Sequence, residues 1–126
     1  MKTSGTSFEK ILFRAVKASS ESILVTDPAQ ADNPIVFANP AFEKLTGYSG
    51  EEILGRNCRF LQGTDTDRAV VKQMRAAIIL GSESRHKLLN YRKDGSTFWN
   101  ELMISPVYDD AGRLKYFLGI QHEVTA

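Results

Sequence analysis

Apolar positions in this chain change their period several times, and each change marks a new element. Residues 1–7 are small and polar and predict a frayed start. From there Phe8, Ile11, Leu12, Ala15 and Val16 recur at three- and four-residue steps, which predicts an amphipathic helix over Phe8–Ser19. No apolar partner follows closely in sequence, so that face must pack on the domain or on a second chain. Ser22–Thr26 and Ile35–Ala38 read as two short strands, separated by Asp27-Pro28 and a loop rich in Ala, Asp, Asn and Pro. Asn39-Pro40 is a helix start, with Asn as the cap and Pro in the first turn; Phe42 and Leu45 point inward and Gly47 ends it. Ser49-Gly50-Glu51-Glu52 forms a capping box for one more turn, Glu51–Leu54, after which Gly55 releases the chain.

The longest helix is predicted over Asp67–Leu80, capped by a Thr/Asp cluster and stopped by Gly81. Ala69 or Val70, Met74, Ala77 and Ile78 form its expected buried stripe, and Arg68, Lys72 and Arg75 a basic one. The last third is strand: about Arg85–Arg92, Thr97–Pro106 and Leu114–Glu123, with turns at Asp94-Gly95 and Asp109–Gly112. Two strands, several short helices and a three-stranded meander predict an α+β domain, an antiparallel sheet with helices on one face. The expected division is a tail and cap helix over residues 1–21 and a core over 22–126.

Turn length decides which side chains of the meander share a face. A two-residue turn at Asp94-Gly95 would pair Asn90 with Trp99 and send Asn100 to the opposite face. A three-residue loop, Lys93-Asp94-Gly95 with Gly95 left-handed, pairs Asn90 with Phe98 and puts Asn90 and Asn100 on one face. We expect the second. Phe117, Gly119 and Gln121 of the last strand then join them, so that three carboxamides and a glycine look into one cavity. Carboxamides carry a donor and an acceptor each, which suits a heterocycle with alternating N–H and C=O groups. Gly119 leaves room for a flat ring.

Composition adds exclusions. The 126 residues suit one domain; 42% hydrophobic and 25% charged residues are globular values, and a net charge of +1 gives no pull toward nucleic acid or an anionic membrane. No apolar run approaches the roughly 20 residues that span a bilayer. Without an apolar signal core at the start and with a single cysteine, the expected location is the cytoplasm. His86 and His122 have no partner at metal spacing, and no hydrolase, phosphate-loop or kinase signature occurs, so neither a metal site nor an ordinary enzyme is expected. The lone thiol, Cys58, is either an inert buried side chain or a reactive group set apart for one ligand. Asn57, Arg59 and Gln62 around it favour the second, and Arg59 with Arg75 could clamp an anion.

The segments Gly55–Gly63 (GRNCRFLQG), Asn90–Gly95 (NYRKDG) and Phe98–Asn100 (FWN) closely resemble the light-oxygen-voltage (LOV) family, the flavin-binding photoreceptor branch of the PAS domains. The resemblance runs from about Ile23 to Thr125. It implies a five-stranded antiparallel sheet with helices on one face, an N-terminal cap helix and noncovalent FMN. Cys58 would sit over flavin C4a and form a reversible photoadduct. Asn57 and Gln62 would bond the ribityl chain, Arg59 and Arg75 the phosphate, Asn90 and Asn100 the pyrimidine edge. Gln121 would lie near N5 and O4 and invert its amide as the signal; Thr26, Asn33, Leu61, Ile78, Leu102, Phe117 and Gly119 would line the ring.

Three features set the chain apart from the family pattern, the mildest being Asn39-Pro40 in place of the commoner Asn-Ala, which is benign as a helix start. The chain stops at Ala126, where many relatives continue into an effector such as a kinase, so a stand-alone short protein or an excised sensor is expected. His122 replaces a frequent Asp or Asn. The expected partners are flavin, an unidentified downstream effector, and a second copy through the first helix and the sheet face. Two alternatives stand beside photoreception: a flavin domain that senses redox state without an adduct, and a dimerisation module with no ligand.

Overall fold

A computed structural model describes residues 4–125. The element order is α1 (Ser4–Ala18), β1 (Ser22–Thr26), β2 (Ile35–Ala38), α2 (Pro40–Thr46), α3 (Gly50–Ile53), a 3-10 turn (Cys58–Leu61), α4 (Arg68–Leu80), β3 (Ser84–Tyr91), β4 (Thr97–Tyr108) and β5 (Leu114–Val124). The strands form one antiparallel sheet in the order β2-β1-β5-β4-β3. Helices cover its inner face, the arrangement expected from the sequence. Helix α1 begins at Ser4 and not at Phe8, so the frayed start does not extend to residues 4–7; residues 1–3 lie outside the described part. Among the described residues no helix is long and apolar enough to cross a membrane.

The inner face of the sheet is unusual in its polarity. In β1, Ser22, Leu24 and Thr26 are buried while the more apolar Ile23 and Val25 point the other way and are half-exposed. In β5, Phe117, Gly119 and Gln121 face in, and β3 and β4 contribute Leu88, Asn90, Phe98, Asn100 and Ile104. Polar groups thus occupy positions that a plain hydrophobic core would fill with aliphatic side chains. The apolar cluster sits to one side instead, built from Leu24, Ile35, Phe42, Ile53 and Leu61, with Tyr48, Cys58 and Phe60 against it. Phe60 meets Tyr48 edge-on at 4.9 Å.

Local chemistry explains the joints. Asn39 caps α2 and is fully buried, yet every capacity of its amide is used. Its Oδ1 accepts from the backbone N–H groups of Ile23 and Phe42, and its Nδ2 donates to the carbonyls of Val16 and Glu21. That one residue ties α1, β1 and α2 together. Ser49 and Glu52 form the expected capping box on α3. Edge strand β2 holds the following loop, with Ile35 exchanging backbone bonds with Gly55 and Arg56.

In α4 the buried residue is Val71, flanked by half-buried Val70, Met74, Ala77 and Ile78, whereas Ala69 is exposed. The stripe is therefore the Val70 alternative, with Met74, Ala77 and Ile78 as expected, joined by Val71 at its most buried point. Helix α1 is less covered than its pattern suggested. Phe13 leans on Phe37 at 5.6 Å, but Phe8, Ile11, Leu12 and Phe13 are each about half-exposed or more.

Candidate functional site

Between the helices and the inner sheet face lies a cavity of about 110 Å³, measured for the centre of a water-sized sphere. One water needs only about 10–15 Å³ on that measure. Its lining brings together Thr26, Asn33, Asn57, Cys58, Arg59, Leu61, Gln62, Ile78, Asn90, Asn100, Leu102, Phe117, Gly119 and Gln121. Of the residues the sequence nominated, Arg75 is the exception: it is exposed on α4, beside the lining residue Met74, and lines no part of the cavity. Leu24, Met74, Leu88, Leu118 and Ile104 also line it and were not nominated. Leu24, Leu88 and Ile104 share the parity of Thr26, Asn90 and Asn100, so the same alternation argument could have found them.

Strand register sets the carboxamides. The β3–β4 loop is the three-residue form: Gly95 is left-handed at φ 89°, Arg92 N–H donates to the Ser96 carbonyl at 2.7 Å, and Asn90 stands opposite Phe98. Asn90 and Asn100 consequently meet, the Nδ2 of Asn100 donating to Oδ1 of Asn90 at 2.8 Å. The other end of the Asn100 amide, Oδ1, is buried without a partner, as are Thr26 Oγ1 and Asn33 Oδ1. A buried unpaired polar atom costs about 1–3 kcal/mol. Three of them line one cavity, two amide oxygens that accept and a threonine hydroxyl that can donate or accept, and that chemistry suits a polar heterocycle.

Cys58 opens the 3-10 turn, an element that Gly55 and Asn57 set up and that no sequence pattern announced. Asn57 caps it, its Oδ1 accepting from Arg59 N–H at 2.9 Å while its Nδ2 donates to the Asp32 carbonyl at 2.8 Å. The turn presents the thiol to the cavity from the side of the apolar cluster. Burial pushes its pKa up to about 12, against a smaller opposing effect of a backbone hydrogen bond. The resting group is therefore a protonated thiol, not a thiolate.

The polar rim is already engaged. Both guanidinium nitrogens of Arg59 grip the Asp32 carboxylate in a fork, and this pairing holds the Asp32 carboxyl below its ordinary range. Asp32 and Asn33 reach this position through consecutive left-handed conformations, φ 69° and 48°, which Asp and Asn tolerate best among non-glycine residues. Gln62 accepts from Arg68, whose guanidinium also donates to the Gly63 carbonyl. The basic residue beside Gln62 is thus Arg68, which its spacing groups with Lys72 and Arg75 on one basic stripe. Among the described residues no group of three His, Cys, Asp or Glu side chains could hold a metal.

A family model described as a PAS domain matches residues 20–126. A light-oxygen-voltage domain solved in work on a flavin analogue is 44% identical, with a TM-score of 0.86 over 94% of this chain and 88% of that one. The chain belongs to the light-oxygen-voltage branch of the PAS family. This LOV domain is also similar to a blue-light photoreceptor of Listeria monocytogenes, 52% identical over 115 residues, which are 91% of this chain and 45% of the relative. The chain therefore spans less than half of that relative's length. An RNA-binding light-oxygen-voltage receptor of known structure matches 99% of the LOV domain and 36% of its own chain, at 45% identity and a TM-score of 0.90.

Proposed function

We propose that this LOV domain is a blue-light receptor that holds FMN in the cavity and uses Cys58 as its light-triggered nucleophile. The observation that carries the reading is one protonated, unpaired thiol facing a cavity whose walls present orphaned polar atoms at Thr26, Asn33 and Asn100. A bound flavin supplies a ring that absorbs blue light and becomes reactive toward a thiol on excitation. Asn90 and Asn100, coupled to each other, offer donors and acceptors to a pyrimidine edge. Thr26, Asn33, Leu61, Ile78, Leu102, Phe117 and Gly119 enclose a flat ring and keep water from it, and Asn57 and Gln62 serve the sugar chain. Arg59 lines the cavity and offers its guanidinium to the phosphate, while Arg75, exposed on α4 outside the lining, would have to reach a phosphate held at the mouth. Cys58 keeps its proton in the dark and is neutral until called on, so the resting protein holds no standing thiolate. Gln121 can present either its amide N–H or its carbonyl, and that choice is the signal.

Output runs from β5 to the half-uncovered α1, through whose apolar face, with the sheet face, a second copy would dock; the effector beyond is open. Absorbance of the flavin-loaded protein before and after a blue pulse tests the reading. The native chain should bleach and recover in the dark. Cys58→Ala should keep its colour and fluorescence and lose the bleaching. A Cys58→Ala protein that still bleached reversibly would remove the thiol from its role. Size exclusion in the dark and under light tests the second copy.

A further inference from the structure

Gln121 does not stand alone against the cavity. Directly opposite it on β1 is Ser22, and the Ser22 hydroxyl donates to Gln121 Oε1 at 3.3 Å. Both side chains are buried, at 4% and 3% exposure. Ser22 does not line the cavity; it touches Gln121 from behind. A serine at an inward strand position contributes little to apolar burial, and a buried hydroxyl is costly unless bonded. Its place is explained by the amide it contacts.

A primary amide has an oxygen end and a nitrogen end, and their shapes are nearly equal, so only hydrogen bonding sets which way it points. With Oε1 held toward β1 by the Ser22 hydroxyl, Nε2 is left for the cavity side. The hydroxyl is held in turn, because its two chain neighbours are clamped by the same buried residue: Asn39 Nδ2 donates to the Glu21 carbonyl and Asn39 Oδ1 accepts from Ile23 N–H. The same Nδ2 reaches the Val16 carbonyl at the end of α1. A hydroxyl can also accept, so Ser22 could bond to Nε2 once the amide had turned over.

We propose that Ser22 is the positioning residue for the Gln121 amide: it fixes the resting orientation with N–H toward the cavity, and it passes a change of orientation to β1 and the Asn39 clamp on α1. The proposal rests on the reading that Gln121 faces a bound flavin.

Nuclear magnetic resonance of the Gln121 side-chain amide in the flavin-loaded chain, in the dark, reads the orientation directly. Dark recovery after a blue pulse gives a second readout. Ser22→Ala should broaden or shift the Gln121 amide pair and change the recovery rate by about five-fold, the worth of one buried hydrogen bond. Ser22→Thr, which keeps the hydroxyl, should restore both, while Ser22→Val, of the same shape as threonine, should not. The Thr/Val pair also decides the matter should the alanine variant fold poorly. Ala and Val variants whose Gln121 signals and recovery match the native chain would overturn the proposal. Gln121→Leu separates the two ideas: if it moves the flavin spectrum and the Ser22 variants move nothing, Ser22 alone is wrong. If Gln121→Leu leaves the spectrum unmoved, the placement of Gln121 fails first.

Discussion

The buried thiol makes a quantitative demand. Cys58 is held at a pKa of about 12, against its ordinary 9.0. At pH 8 such a thiol is about one part in 10⁴ thiolate, while an unperturbed one is about one part in ten, so alkylation in the dark should be about a thousand-fold slower than for a free cysteine. The logarithm of the rate should keep climbing one decade per pH unit through pH 10, with no bend near 9. Stability gives an independent measure. The folded state binds this proton more tightly than the unfolded chain, so the contribution is complete below pH 9 and drains away as pH rises from 9 toward 12. By pH 10 the loss amounts to about 1.4 kcal/mol. Urea unfolding of the native chain and of Cys58→Ala, compared between pH 7 and 10, isolates it because every other titrating group cancels. A reactivity curve that flattens near pH 9, or equal pH slopes for the two proteins, would refute the argument that burial governs this thiol.

Glycines and the rim offer further tests. A methyl on Gly119 would meet Leu24 at 3.2–3.3 Å, a contact a flexible side chain can relieve by moving a few tenths of an ångström. Gly119→Ala should therefore change ligand-free stability by no more than about 1 kcal/mol, yet lower flavin affinity about ten-fold or more by narrowing the cavity; chemical denaturation and flavin titration read the two effects. A methyl on Gly63 would run into the ring of Tyr91, whose hydroxyl accepts from Asp65 N–H at 2.9 Å. Gly63→Ala should cost about 2–3 kcal/mol in urea unfolding, and a neutral result would mean that Tyr91 swings aside freely. Arg59→Ala should weaken FMN by about ten-fold or more and riboflavin hardly at all, since only FMN carries the phosphate. Equal losses for both would take Arg59 away from that group.

What the sequence made legible was whatever depended on period and punctuation. Strand and helix bounds follow from alternation and from Asn39, Ser49, Gly81 and Gly95, which act on their immediate neighbours. The meeting of Asn90 and Asn100 was legible too, because register is local to a hairpin. Contacts between distant segments were not. Nothing in the spacing of Asp32 and Arg59 signals their fork, because it depends on two left-handed residues in an irregular loop. Ser22 looked like the polar first residue of a strand; its partner lies 99 positions away and emerges only when β1 and β5 are aligned. Arg68 and Arg75 fell on the same basic stripe, and only the folded loop before α4 shows that Arg68 turns back to Gln62 while Arg75 stays in solvent.

The three-residue loop at Lys93–Gly95 has a consequence for how this domain can change over time. Its length works as a parity bit for the hairpin. Substitutions along β3 and β4 alter the site one side chain at a time, each with a graded effect. Removing a single loop residue would instead exchange inside for outside along one whole strand, carrying Asn90 or Asn100 to solvent and bringing in neighbours that never faced the cavity. The left-handed Gly95 makes the odd length geometrically comfortable, so the error-correcting element of the binding site is a residue that never touches it. Among descendants of this chain, variation should therefore accumulate freely in the identity of Lys93 and Asp94 and almost never in their number.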